Sequence, residues 1–189
     1  MARIPYTDPQ HASPEVREAL DALPQLNIFK MLAHADTAFI PYLRLGGALL
    51  AQLELDPKLR ELTILHVAKH TGAEYEWIQH AGIARALGIP DEQITAIQND
   101  ELQAACLDPD AQTLLRFTHD VLQQPHADDD TFTAVQQLLP PRQIVELLLV
   151  IGTYQMLAHI MTTLDIDLDQ AAGSTVVDEA QRLLNEPDS

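Results

Sequence analysis

Three ionisable side chains in residues 59–87 sit on helix stripes that are otherwise apolar, and their types are those of acid–base chemistry: Glu61, Glu76 and His80. Residues three, four and seven apart share one face of a helix. Glu61 aligns in this way with Ile64, Leu65 and Ala68, and His80 with Trp77, Ala84 and Leu87. An ionisable group on the buried side of a helix costs free energy unless it is paired. The pattern therefore predicts a carboxylate–imidazole pair between two helices, the kind of arrangement that gives active sites their perturbed acids and bases. Ala73, Glu76 and His80 share a further stripe, with Glu76 one turn before His80 and within hydrogen-bond reach of it. The competing reading of Glu76 and His80 is a surface pair worth ~0.3–0.5 kcal/mol. Glu61 has a competing reading too, as an exposed first-turn acid favoured by the helix dipole.

Other candidates carry weaker signals. His66 and His70 are one turn apart, the spacing of two metal ligands, but no H-E-x-x-H pattern accompanies them. Their stripe, with Leu59 and Thr63, is mostly polar and reads as a solvated face, so no metal is expected. Tyr75 shares a stripe with Gln79 and Gly82 and is expected at a helix–helix or subunit contact. Tyr154 and His159 lie on an apolar helix, either lining a pocket or as satisfied core polar groups. Cys106 is the only cysteine, which excludes an intrachain disulfide or a two-cysteine redox centre. With no basic neighbour to lower its pKa it reads as a buried structural thiol.

The elements that position these residues read as helices throughout. Ser13-Pro14, Asp56-Pro57 and Asp108-Pro109 are cap-plus-proline starts. Asn27 is expected to cap a helix over about 28–39, and Pro41 to open another over about 41–53. The helix begun at Pro57 breaks at Thr71-Gly72, and the next runs to about Leu87, stopped by Gly88. A short helix follows at 91–97, and Asp130 is expected to cap one over 131–139. Pro141 begins the longest apolar helix, to about Leu164, expected to be central or buried against a partner. A loop over 165–173 and a last amphipathic helix over 174–185 complete the chain. No period-two strand pattern is present, so the fold class is all-α. The expected division is an arm over 1–26, a helical domain over 27–173, and a terminal helix with tail over 174–189.

The 189 residues carry a formal net charge of -17 with 47% apolar residues. A surface that acidic repels phosphate and anionic membranes, so neither nucleic-acid nor membrane partners are expected. No apolar run approaches the roughly 20 residues of a membrane span. The first residues lack the apolar core of a signal peptide, so a cytoplasmic location is expected.

The run Leu59-Arg60-Glu61-Leu62, followed by Glu74-Tyr75-Glu76-Trp77-Ile78-Gln79-His80, resembles the carboxymuconolactone decarboxylase family, which includes alkylhydroperoxidase D-like proteins. Segments 27–34 and 143–164 resemble the flanking helices of its longer members. The resemblance implies an all-α alkylhydroperoxidase D-like domain of about eight to ten helices, forming a dimer, trimer or hexamer. In the family's peroxidase branch, a glutamate is followed twelve residues on by a C-x-x-C pair, with a histidine four residues after the second cysteine. Glu61 and His80 keep those positions here, while Ala73 and Glu76 occupy the two cysteine positions. Peroxide reduction by that branch needs an attacking thiolate and a resolving thiol, and Ala73 supplies neither. What remains resembles the decarboxylase branch: cofactor-free, acting on a small organic acid or lactone. His80 would be its general acid/base, Glu61 and Glu76 the partners of His80, and Ala73, Trp77 and Tyr154 the residues lining the pocket. The rival readings are a thiol peroxidase using Cys106, a non-catalytic oligomeric ligand-binding protein, and metal-assisted hydrolysis.

Overall fold

Every residue from 60 to 68 of one helix is buried, and the other helices are arranged around it. The computed structural model describes residues 1–185. After a short 3-10 turn at Pro9–His11 come ten α-helices: α1 (Pro14–Ala22), α2 (Asn27–Leu32), α3 (Asp36–Ala51), α4 (Pro57–Thr71), α5 (Glu74–Ala86), α6 (Asp91–Gln98), α7 (Pro109–Gln123), α8 (Asp129–Leu138), α9 (Pro141–Leu164) and α10 (Thr175–Asn185). There is no strand among the described residues, so the all-α reading stands.

The central position of α4 follows from its apolar residues pointing in two directions. Ile64 and Val67 join the larger core with Leu147, Val150 and Ile151 of α9 and Phe117 of α7. Leu62 and Leu65 join a second core with Ala81 and Ala84 of α5, Ile94 and Ile97 of α6 and Leu115 of α7. A third, smaller core holds α1 against α3 through Val16, Leu20 and Phe39. A helix that is apolar on two sides has no solvent side left. This overturns the reading of Thr63 and His66 as a solvated face: they are 0% and 1% exposed, covered by α7, and only His70 reaches solvent. His159, a candidate core group, is exposed.

The ends are closed as the caps require. Asp56, Asp108 and Ser13 accept from the first-turn amides of α4, α7 and α1. Gly72 takes a positive φ of 68° that non-glycine residues avoid, and so turns α4 back into α5. Asp128, not Asp130, caps α8 through Thr131 N–H at 2.8 Å.

Two helix boundaries differ from expectation. Asn27 is the first residue of α2 rather than its cap, and α2 ends at Leu32. Its start is capped from far along the chain: Asp169 accepts from the Asn27 backbone N–H at 2.6 Å and from the Tyr75 hydroxyl at 2.5 Å. Pro41 lies inside α3, which begins at Asp36. The ring removes the N–H that would bond the carbonyl of Thr37, but both residues are exposed, so water can take its place.

α9 crosses the whole assembly, burying Leu147, Val150, Ile151, Tyr154, Leu157 and Met161. By length and composition it is apolar enough to cross a membrane, contrary to expectation. Ten of its residues are buried inside the protein, as in the core helix of a globular domain. One stripe remains exposed, comprising Val145, Leu148, Leu149 and Met156. The Tyr75–Gln79–Gly82 stripe of α5 packs on the 165–173 loop of the same chain. Gln79 donates to the carbonyls of Asp169 and Gln170 and accepts from Ala172 N–H.

Replacing Asp169 with Ala removes the α2 cap and the Tyr75 anchor together. The expected loss is about 1–2 kcal/mol, read as a lowered urea midpoint; an unchanged midpoint would show that water caps α2 equally well. A second prediction concerns His66, whose two ring nitrogens have no partner. Burial, then the neighbouring His119 and His70, pushes its pKa down to about 4 from 6.5. The unfolded chain takes up this proton first, so stability is lost as pH falls from about 6.5 towards about 4, on the order of 3 kcal/mol at most. His66→Leu should flatten that slope in unfolding curves taken at pH 7 and pH 5, and an unchanged slope would refute the assignment.

Candidate active site

The α4–Gly72–α5 hairpin lays Glu61 opposite His80, and the two meet through His80 Nδ1 and Glu61 Oε2 at 2.8 Å. The other carboxylate oxygen, Oε1, accepts from Arg60 Nε at 3.0 Å. A second guanidinium nitrogen of Arg60 donates to the Leu50 carbonyl at 2.7 Å. That carbonyl belongs to the last turn of α3, where helix carbonyls lack partners and a positive charge is favoured. The result is a continuous chain from the α3 terminus through Arg60 and Glu61 to His80. The Glu61 side chain is 0% exposed and that of His80 9%, so the pair operates out of bulk water. There each charge depends on its partner, and loss of one strands the other.

With Glu61 held as acceptor by Arg60, Nδ1 of His80 carries the hydrogen of their bond. Chemistry on a ligand is thereby directed to Nε2. The Tyr154 ring of α9 stands edge-on to the imidazole at 4.7 Å and 88°, fixing the ring plane. Burial, then Glu61, raises the Tyr154 phenol well above its usual pKa, keeping it protonated.

His80 and Tyr154 form part of the wall of a cavity of about 100 Å³. Leu26 and Ile28 around the start of α2, Leu50 of α3, Ile83 of α5 and Leu157 of α9 supply apolar walls. Glu76 also faces it. This carboxyl is 1% exposed, and neither oxygen has a hydrogen-bond partner. Burial raises its pKa well above the ordinary carboxyl range. Tyr42 of α3 lines the same cavity, its phenol pKa raised by burial and then by Glu76.

The sequence-derived candidates thus separate. Glu61 and His80 are joined, and the exposed first-turn reading of Glu61 fails because the side chain is fully buried between Arg60 and His80. Glu76 is brought to the cavity but does not pair with His80. The single imidazole–carboxylate bond goes to Glu61, whose position on the facing helix is better aimed than a neighbour one turn away. Tyr154 lines the cavity; Ala73 and Trp77 do not. Ala73 sits at the start of α5 beside a separate recess near Gly72 and Ile166, and Trp77 packs on the second core. Two contributors were missed. Arg60 has no partner on its own apolar stripe to mark it, and nothing in the helix expected over about 41–53 singles out Tyr42. Cys106 is half-buried, with its thiol towards the Glu92 carbonyl at 3.6 Å, and does not line the cavity. The His66, His70 and His119 rings lie 5.6–6.3 Å apart by centroid. No three His, Cys, Asp or Glu side chains among the described residues are arranged to hold a metal ion.

Comparison with known proteins bears on the fold and on the segment that carries Glu61, Glu76 and His80. Residues 38–120, from α3 into α7, match the carboxymuconolactone decarboxylase family. No curated protein matches the chain. Among solved structures, an alkylhydroperoxidase AhpD core, an uncharacterized peroxidase-related protein from Ralstonia eutropha JMP134, superposes with a TM-score of 0.78 at 16% identity, over 89% of this chain and 92% of that one. A peroxidase-related protein from Silicibacter sp. TM1040 gives 0.76 at 14% identity, over 88% and 90% of the two chains. A variant of the debrominase Bmp8, in complex with 2,3,4-tribromopyrrole, gives 0.72 at 16% identity, over 95% of this chain and 100% of that one. Residues 38–120 thus resemble the carboxymuconolactone decarboxylase family, and the chain shares the helical fold of alkylhydroperoxidase D-like proteins.

Proposed function

We propose that the protein is a cofactor-independent enzyme of decarboxylase-like or lyase-like type, acting by general acid/base catalysis on a small organic acid or lactone. The observation that carries this reading is the 2.8 Å bond from a buried, arginine-held Glu61 to Nδ1 of His80, which lines a largely apolar cavity. Loss of carbon dioxide from an unsaturated acid leaves electron density that the substrate's own carbonyl accepts. The remaining step is delivery of a proton to carbon. His80 is suited to that step: Glu61 stabilises the protonated imidazole, and Nε2 is the nitrogen left to give the proton up. Tyr154 holds the ring plane while this happens. Arg60 acts on Glu61 and is a positioning residue.

A thiol peroxidase is disfavoured by the residues at hand. Ala73 stands at the N-cap of α5, where a helix N-terminus would favour a thiolate, but its methyl group has nothing to ionise. Cys106 lies in the connection between α6 and α7, outside the cavity. The Bmp8 complex supports a small ring as occupant of this kind of fold.

The test is carbon dioxide release from a panel of small unsaturated lactones and keto acids. The wild-type protein should turn over at least one of them. His80→Gln should lower kcat by roughly 10²–10⁴-fold, the usual contribution of a positioned acid, and Cys106→Ala should leave it unchanged. Turnover that survives in the His80 variant, or that disappears with Cys106, would refute the assignment. Glu61→Ala strands the Arg60 guanidinium and is expected to cost about 3–5 kcal/mol of stability. Calorimetric unfolding within about 1 kcal/mol of wild type would mean that water reaches Arg60.

A further inference from the structure

A buried polar group without a partner marks either strain or a place kept for a ligand. Neither oxygen of the Glu76 carboxyl, which lines the cavity, has a hydrogen-bond partner. The Tyr42 and Tyr154 side chains line it too, and their hydroxyls make no hydrogen bond to a described residue. Gln79 and Tyr75, by contrast, are engaged by the 165–173 loop.

These groups divide between two ends of the cavity. At one end His80, its Nδ1 held by Glu61, presents Nε2 beside the Tyr154 ring. At the other, Glu76 lies one turn earlier on α5 and acts on Tyr42 of α3, whose phenol is raised by burial and then by this carboxyl.

We infer that the Glu76 carboxyl and the Tyr42 hydroxyl are catalytic donors that hold the substrate's carbonyl oxygen while carbon dioxide leaves. The inference deepens the proposed function and rests on its placing of the substrate beside His80.

In the bound acid the negative charge sits on the carboxylate. Nε2–H of the protonated imidazole is the one positive group that the described lining offers it. The bond from the carboxylate carbon to the rest of the substrate then breaks, and carbon dioxide departs uncharged. The bonding pair moves through the conjugated double bond, and the carbonyl becomes an enolate with the charge on oxygen. Nε2 gives its proton to carbon, the electrons restore the carbonyl, and water reprotonates His80. Donors placed at the carbonyl oxygen therefore strengthen as the charge arrives there, which lowers the barrier instead of only tightening binding.

Glu76 is suited to be such a donor. An ionised carboxyl at this position would be a buried charge without a counter-ion, so the group stays protonated and offers one O–H. An acid kept neutral by an apolar site is a known means of stabilising an enolate. The oxygen that takes its hydrogen also relieves the desolvation of Glu76. Side chains one turn apart have β-carbons roughly 5–6 Å from each other, so Glu76 and His80 reach the carbonyl and a carbon of one small ring together.

The experiment uses the full-length protein at neutral pH with two probes of nearly the same shape. Pentafluorophenolate carries its charge on a ring-bound oxygen, as the enolate does, and hexafluorobenzene carries none. Affinities are read by fluorine NMR, and the His80 imidazole signals report whether each probe lies beside the pair. Wild type, Glu76→Leu, Glu76→Gln and Tyr42→Phe are compared, each with its fold checked by its amide spectrum. Glu76→Leu and Tyr42→Phe should each weaken the phenolate roughly tenfold or more, the worth of one hydrogen bond to a charged acceptor. Glu76→Gln keeps a donor and should lose less than Glu76→Leu. Hexafluorobenzene should bind all four proteins within about twofold. If both probes weaken together, Glu76 and Tyr42 only shape the cavity, and the donor role is wrong. If Glu76→Leu or Tyr42→Phe binds the phenolate as tightly as wild type does, the donor pair is likewise wrong, and in both cases the His80 site stands. If neither probe moves the His80 signals in any of the four, the cavity is not the ligand site, and both readings fall.

Discussion

The structure depends on one chain of buried polar contacts, from the Leu50 carbonyl through Arg60 and Glu61 to His80. It begins at the C-terminal turn of α3, passes through α4 and ends on α5, so it ties three helices at the point where the cavity forms. None of its members is stable there alone. Glu61 at 0% exposure needs the guanidinium, Arg60 needs both acceptors, and His80 needs a fixed acceptor if one ring nitrogen is to be singled out. Hydrogen bonds in low dielectric polarise one another, and a fully satisfied network of this kind specifies one geometry more sharply than apolar packing does. The α4 helix accepts this burden because its remaining residues face two separate cores, which hold it from both sides.

That constraint explains the contrast between the two glutamates. Glu61 and Glu76 are both almost completely buried, yet one is fully partnered and the other has no partner. The site therefore contains one carboxyl whose charge is compensated and one whose charge is suppressed. Environments that push two titratable groups apart are what allow one site to offer both an acceptor and a donor near neutral pH. Both properties come from placement: Glu61 follows directly after the arginine that neutralises it, while Glu76 points into a cavity walled by α2, α3 and α9 with no Lys or Arg among its described lining residues.

Much of this could be read from the chain itself, and the unread part has a common cause. The stripes of Glu61 and His80 gave the buried pair directly, because a titratable group amid i, i+3 and i+4 apolar residues must face a partner. The caps at Asp56 and Asp108, the Gly72 turn and the extent of α9 were legible for the same local reason. Interactions between distant segments were not. Asp169 caps α2 across more than a hundred residues, so Asn27 looked like the cap and α2 looked longer than it is. Thr63 and His66 looked solvated because their stripe is polar, and only the packing of α7 shows that they are covered. Arg60 was hidden because its partners are its own neighbour and a backbone carbonyl, neither of which leaves a sequence pattern. Prolines opened four helices correctly, but Pro41 misled because a proline in the second turn of an exposed helix leaves only one solvent-facing carbonyl unpaired.

The spacing from Glu61 to His80 matches the motif of the peroxidase branch that the sequence resembles, with different residues between them. In the peroxidase branch that the motif resembles, the two positions between them are cysteines; here they are Ala73 and Glu76. If those cysteines were lost by drift alone, the cavity position would be expected to fill with a small apolar residue, as Ala73 does on the far side of the turn. It holds instead a carboxyl whose burial is costly and whose oxygens no protein group satisfies. Ala73 costs nothing and needs no explanation. Glu76 costs stability in the empty protein, and a cost carried inside a cavity is offset when the occupant supplies the missing partner. Under the proposed function the Glu61–His80 pair and the Glu76 acid act together, with proton donors at the spacing where the peroxidase branch carries sulfur.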